Sequence, residues 1–269
     1  MTVLVLGKLV VDEVLHCSAP VLPGSAQRAT SREVDGGGQV WHAARAARRA
    51  GARVRVSGWC GDDNDSRLLR TMLQDDGIDD WLVVAGEAVR ATVLVGPDGD
   101  RAIVSHGGAG RLTRDMLDPD GVLSGVGWVH VDGYCLDRAS GDAVSWLVGV
   151  AAARGVPISL EPPSAHRIPQ AAAFLEELPP LAALLGRPGE VDAALRALRH
   201  QPSSCIRHAG ADPVTVTTTS TRWSVPVPAA TVRTTGAGDR FAGGFIAARE
   251  QGRDVGPAVE AGIAAARHG

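Results

Sequence analysis

The sequence predicts an α/β fold built on a mostly parallel sheet covered by helices, and two observations carry that prediction. Short runs of Val, Leu and Ile alternate with Ala-, Arg- and Leu-rich stretches of helical periodicity along the 269 residues. The apolar runs are continuous, as expected of strands buried on both faces, and a sheet between two helix layers buries its strands in that way.

Taken in order, Val3–Leu6 is a buried first strand. Residues 9–16 and about 26–34 alternate without a helix between them. In 39–50, Arg45, Arg48 and Arg49 fall on one helical face, with Ala43, Ala44, Ala47 and Ala50 around the other. Val54–Ser57 is the next strand, and Leu68, Leu69, Met72 and Leu73 make the stripe of a helix over 65–75. After the strand Trp81–Val84, residues 91–105 form a hairpin pattern around Pro97-Asp98-Gly99-Asp100. The rhythm then resumes: strand Trp128–Val131, helix 138–153, strands Pro157–Leu160 and Leu181–Leu185, helix 190–199 and strand Ser204–Arg207. A helix over 237–250 places Phe241, Phe245 and Ile246 on one face. The strands within about 9–35 and 88–106 are expected to build a small second sheet, a lid that excludes water from the main sheet's strand ends. The same pattern also fits a pair of ordinary surface hairpins. No repeat, low-complexity tract or long linker interrupts the chain, so residues 1–269 are read as one domain.

Composition narrows the function. Hydrophobic residues make up 45% and charged residues 21%, the balance of a soluble globular protein. A net charge of −3 argues against nucleic acid or an anionic membrane as partner, and 4% aromatics leave little for stacking on bases. Cys17, Cys60, Cys135 and Cys205 are far apart and form no zinc or disulfide pattern. The apolar start is short and lacks a basic leader, and no window reaches transmembrane length, so a cytoplasmic location is expected. Lys8 is the only lysine. Because Leu9 follows it, there is no Walker A loop; no strand lysine of a protein kinase remains, and no G-x-G-x-x-G follows the first strand.

The most informative stretch is Arg233-Thr234-Thr235-Gly236-Ala237-Gly238-Asp239-Arg240-Phe241. Gly236, Ala237 and Gly238 let the backbone approach a ligand and leave amides free at a helix start, which attracts anions, phosphate above all. Asp239 in the first turn would repel a phosphate but could take a proton from an attacking hydroxyl beside it. Anion cradle plus base points to phosphoryl transfer; the alternative is an ordinary Gly-rich helix start with an acidic first turn.

Positions 234–246 match the Thr-x-Gly-Ala-Gly-Asp signature of the ribokinase-like, PfkB-type carbohydrate kinases, with Arg233 in place of its first Asp. Gly37-Gly38-Gln39-Val40-Trp41-His42-Ala43-Ala44 resembles the family's N-terminal signature, with His42 where Asn is usual, and Gly58-Trp59-Cys60-Gly61-Asp62-Asp63 resembles its Gly-x-x-Gly-Asp-Asp turn. The resemblance covers almost the whole chain. It implies a three-layer ribokinase-like sandwich and an ATP- and Mg²⁺-dependent kinase acting on a primary hydroxyl of a small sugar, sugar-like polyol or nucleoside. A non-catalytic sugar- or nucleotide-binding relative is the rival. By the same resemblance Asp239 is the base; Gly236, Ala237 and Gly238 are the anion hole; and Asp12, Gly37, Gly38 and His42 bind the acceptor. Thr235, His208 and Gly210 serve the nucleotide, and Glu190 acts on Mg²⁺ through water. In several members the lid also forms a homodimer contact.

The departures fall on functional positions. His42 brings a group able to carry charge near pH 6.5. Arg187 stands for the Asn of the family's Asn-x-x-Glu motif, and His208 for Thr. Arg233 replaces a carboxylate that helps hold a monovalent cation in cation-activated members, so activity independent of K⁺ is expected.

Overall fold

In the computed structural model, which describes residues 1–228 and 236–267, strand β1 (Thr2–Leu6) divides the protein into layers. Val3 and Val5 point to one side of the sheet and Leu4 and Leu6 to the other, all four with no exposed surface. The first side packs against α1 (Gly38–Arg49), α2 (Asn64–Asp75), α7 (Ala237–Glu250) and α8 (Val255–Arg267). The second packs against α3 (Pro119–Leu123), α4 (Gly141–Ala153), α5 (Ile168–Glu177) and α6 (Pro188–Ala197). Period-two alternation in a strand thus produces two cores and three layers.

Nine strands form the central sheet. From the far edge they run β13 (Arg222–Val225), β12 (Val214–Thr218), β11 (Ser204–Arg207), β10 (Ala183–Gly186), β9 (Ile158–Glu161), β8 (Val126–Asp132), β1, β4 (Arg53–Cys60) and β5 (Asp79–Val84). Every pairing from β5 to β11 is parallel, and only the β11–β12–β13 edge is antiparallel. The chain builds outward from β1 toward β5, then returns and builds from β8 the other way. Strand order therefore reverses beside β1, the place where open α/β sheets bind ligands.

The non-helical segments form a separate four-stranded sheet: β3 (Ala29–Gly37), β2 (Val10–Cys17), β6 (Val89–Val95) and β7 (Arg101–Gly107), in that order. Of its pairings, β2–β3 and β6–β7 are antiparallel hairpin arms, while β2–β6 is parallel and joins the two arms into one sheet. This favours the second-sheet reading over isolated surface hairpins.

The helix over 237–250 and the strand Ser204–Arg207 lie where the sequence put them. Five strands and α-helices had escaped the sequence reading. The β12–β13 hairpin is threonine-rich and lacks a continuous apolar run; α5 hides among prolines, although Pro169 in its first turn suits a helix start. Helix α8 buries Ala258, Val259, Gly262 and Ile263, too small a stripe to stand out, and α3 spans only five residues. Among the described residues, no helix is long and apolar enough to cross a membrane.

Candidate active site

Helix α7 opens on Gly236, whose φ of 74° is a left-handed conformation that favours glycine. The first helical bond runs from the Arg240 amide to the Gly236 carbonyl at 2.9 Å, so the amides just inside the helix have no intrahelical acceptor. Two imidazoles line this turn. A Cβ on Gly236 would stand 2.6 Å from Cδ2 of His42, and one on Gly238 would stand 3.1 Å from Cε1 of His208. Asp239, in the first turn, is partly buried. Burial pushes its carboxyl up to about 6; Arg240 and Arg187 oppose the rise, and the Glu190 and Asp12 carboxylates add to it.

Asp12 lies on β2 of the small sheet, its carboxylate packed so closely on Gly37 that a Cβ there would overlap it. Burial, then the neighbouring Asp35, raises its pKa. His42, on the second turn of α1, does not carry the charge its type allows. Burial, reinforced by Arg240 and Arg45 against Asp35, holds it down to about 4, so it is a neutral imidazole at physiological pH. His208 behaves alike: burial and Arg187 hold it to about 4. The charge that the sequence allowed at His42 is therefore absent.

His208 follows β11; its amide donates to the Gly186 carbonyl at 3.0 Å and its ring lies 4.7 Å from that of Phe241. Glu190 sits in the first turn of α6, where its Oε2 accepts from the Arg187 amide at 3.2 Å. It caps its own helix while facing Asp239 electrostatically. Gly210 occupies an exposed turn with φ +55° and nothing beside it. A groove of about 530 Å³, lined by Pro188, Asp192, Arg207, Ala209, Asp212 and Thr215 among others, adjoins that turn without reaching Asp239. Thr235 and Arg233 lie outside the described residues.

Sequence reasoning missed a set of side chains at the strand ends. Asp132 closes β8 and Glu161 closes β9, at 3% and 4% exposure. Asp132 accepts from the Tyr134 amide at 2.8 Å and the Lys8 amide at 3.4 Å, yet burial lifts it to about 7. Burial, then Asp239, Asp132 and Glu190, pushes Glu161 well above the usual carboxylate range. Lys8 pairs with Asp137 and lies over the Trp59 ring. The two strands had been read as ending at Val131 and Leu160, one residue short. The rule that open α/β sheets bind ligands beyond their strands' carboxyl ends would have flagged both acids.

These residues converge at the reversal of strand order, with Asp12 contributed by the small sheet. The profile described as pfkB family carbohydrate kinase matches residues 2–268. A bifunctional ribokinase/ribose-5-phosphate isomerase A of Fructilactobacillus sanfranciscensis is 28% identical over 173 residues, 62% of this chain and 32% of that protein. The match thus spans about a third of that relative's length. A ribokinase from Cryptococcus neoformans in complex with ADP superposes with a TM-score of 0.75 at 21% identity, over 98% of this chain and 91% of that one. An adenosine kinase from Anopheles gambiae in complex with a di-adenosine tetraphosphate gives 0.82 at 22%, over 98% and 94%. With the family profile matched over residues 2–268, the chain belongs to the pfkB family of carbohydrate kinases.

Proposed function

We propose that the protein transfers the terminal phosphoryl group of ATP to a primary hydroxyl of a small sugar, sugar-like polyol or nucleoside, with Asp239 as the general base. The observation that carries this reading is the placement of Asp239: a carboxylate with its pKa raised to about 6, in the first turn of α7, beside the amides that follow Gly236. A base poised near the working pH accepts a proton as the new O–P bond forms. The amides of 236–238, already oriented by the helix, stabilise charge on the migrating group with no reorganisation.

Asp12 and the backbone at Gly37 and Gly38 form the acceptor wall. A carboxylate accepts from two hydroxyls at once, which suits a polyol. The neutral ring of His42 offers one donor and one acceptor rather than a charge. His208 and the turn at Gly210 face the nucleotide, and Thr235 belongs to the same group by sequence. The small sheet over the cleft acts as a lid that keeps water from competing with the acceptor.

The donor set fits magnesium. It is oxygen-only, and among the described residues no three His, Cys, Asp or Glu side chains are grouped to hold an ion alone. Magnesium at a nucleotide usually keeps several waters and binds through one or two carboxylates plus phosphates. Glu190 would hold it through water, and the ion would neutralise phosphate charge.

The test is ADP release over a panel of sugars, polyols and nucleosides, with isothermal titration of the same compounds. Turnover of at least one hydroxymethyl-bearing acceptor is expected. Saturable binding with no ADP formed from any of them would favour a non-catalytic binding protein on this scaffold.

A further inference from the structure

Two of the chain's departures from the family pattern meet at one place. His42 stands where Asn is usual and His208 where Thr is usual, far apart in the sequence. Folding sets them at the two ends of the same three-residue turn. A Cβ on Gly236 would stand 2.6 Å from Cδ2 of His42 and 2.9 Å from its Nε2. A Cβ on Gly238 would stand 3.1 Å from Cε1 of His208 and 3.8 Å from its Nδ1. Each ring thus lies on the backbone that opens α7.

Packing fixes both rings. Helices α1 and α7 touch at Gly243, where a Cβ would overlap the carbonyl of Ala43, the neighbour of His42. His208 lies against the ring of Phe241, itself buried in the core. Nε2 of His208 is buried with no hydrogen-bond partner among the described residues. A buried N–H without an acceptor is a rarer fault than a buried acceptor without a donor. The ring proton therefore belongs on Nδ1, the nitrogen nearer Gly238. Neither ring nitrogen of His42 is engaged by a hydrogen bond among the described residues. Burial keeps both rings neutral at physiological pH. A neutral imidazole has one N–H to donate, and it does not neutralise the adjacent base as a cation would.

We infer that His42 and His208 are catalytic residues that bracket the amides of 236–238 and donate hydrogen bonds to the phosphoryl group as it passes from nucleotide to acceptor. This rests on the kinase reading above and deepens it, assigning His42 and His208 to the group that moves between acceptor and nucleotide. In the transfer the acceptor oxygen bonds to phosphorus as the bond from phosphorus to the leaving ADP oxygen breaks. The acceptor's proton goes to Asp239, ADP keeps the electron pair, and both histidines keep their protons. Their part is to stabilise charge on the peripheral oxygens, as donors fixed in advance do.

The test uses aluminium fluoride, a mimic of the phosphoryl group in transfer. Isothermal titration follows ADP binding to the full-length protein in Mg²⁺, with and without the fluoride. His42→Phe and His208→Phe keep a ring and lose the N–H. Each is expected to weaken the ADP–aluminium fluoride complex at least about 10-fold, the usual effect of losing a hydrogen bond to a charged group, with affinity for ADP alone changed far less. His42→Asn and His208→Gln, which restore an N–H donor, should recover part of the loss. Should a Phe variant fail to fold, the Ala variant at the same position takes its place. An unchanged fluoride complex in either Phe variant, an equal loss in the donor-bearing variants, or no tightening of ADP by fluoride in the unaltered protein overturns the inference. Turnover in the acceptor panel is scored separately. Turnover with a histidine-independent fluoride complex overturns this inference and leaves the proposed function standing; a histidine-dependent complex without turnover of any acceptor does the reverse.

Discussion

At the scale of single residues, the carboxyls of Asp239 and Asp132 make different statements about pH. Asp239 must be ionised to act, and its pKa stands at about 6. The acid limb of kcat/KM is therefore expected near pH 6, flattening above it, because that parameter reports groups of the free enzyme. Asp239→Asn should cost on the order of 10²–10⁴ in rate, the usual share of a general base, with ligand affinity little changed. Unchanged turnover would remove Asp239 from the mechanism. Asp132 makes a stability statement. Its folded pKa of about 7 lies above the 3.8 of an unperturbed aspartate, so the folded protein holds a proton that the unfolded chain releases. Stability from this site is complete at low pH and is lost as pH rises from about 4 through 7. Asp132→Asn is neutral throughout, so it should melt several degrees above the natural protein at pH 8, a gain on the order of 2–4 kcal/mol. The gap should close as pH falls toward 4. Thermal denaturation across that range checks it, and equal melting at pH 8 would show that Asp132 is not held protonated.

At the scale of elements, the site depends on how closely α1 and α7 approach. A Cβ on Gly243 would meet the Ala46 Cβ at 2.6 Å and the Ala47 amide nitrogen at 2.9 Å on α1. Gly243→Val is expected to cost about 1–3 kcal/mol by overpacking, lowering Tm by about 2–4 °C for each kcal/mol. Because α7 carries Asp239 and α1 carries His42, activity should fall further than stability does. Gly149 in α4 has nothing within 4 Å of a Cβ, so Gly149→Ala should instead add up to about 1 kcal/mol from helix propensity alone. Paired calorimetry and turnover on the two variants separate packing from propensity. The start of α7 was legible because Gly236-Ala237-Gly238-Asp239 is local: the turn, the free amides and the acid lie within four residues. Asp132 and Glu161 were not, because each looks like the polar margin of an apolar strand. Their meaning comes from β8 and β9 being neighbours under α7, a fact of topology rather than of any window of sequence.

At the scale of the whole molecule, the main sheet supplies Asp132, Glu161 and the turn at His208 from the parallel strands β8, β9 and β11, while the small sheet supplies Asp12. Under the proposed function, an acceptor held between Asp12 and Asp239 would feel the orientation of one sheet relative to the other. The outer strand β7 is exposed at all seven residues, with Ile103 at 56% and Val104 at 63%. An unpaired strand edge bearing apolar side chains invites pairing, and a second copy offers an identical edge. We expect a homodimer through this sheet, sedimenting at twice 27.8 kDa. Ile103→Glu with Val104→Lys should convert it to monomer. If pairing steadies the small sheet, the monomer's KM for the acceptor rises while its affinity for ADP, which the proposed function assigns to the main sheet, stays unchanged. A natural protein that sediments as a monomer would remove the dimer. A monomeric variant with an unaltered acceptor KM would show instead that Asp12 is positioned by its own contact with Gly37 and not by a partner.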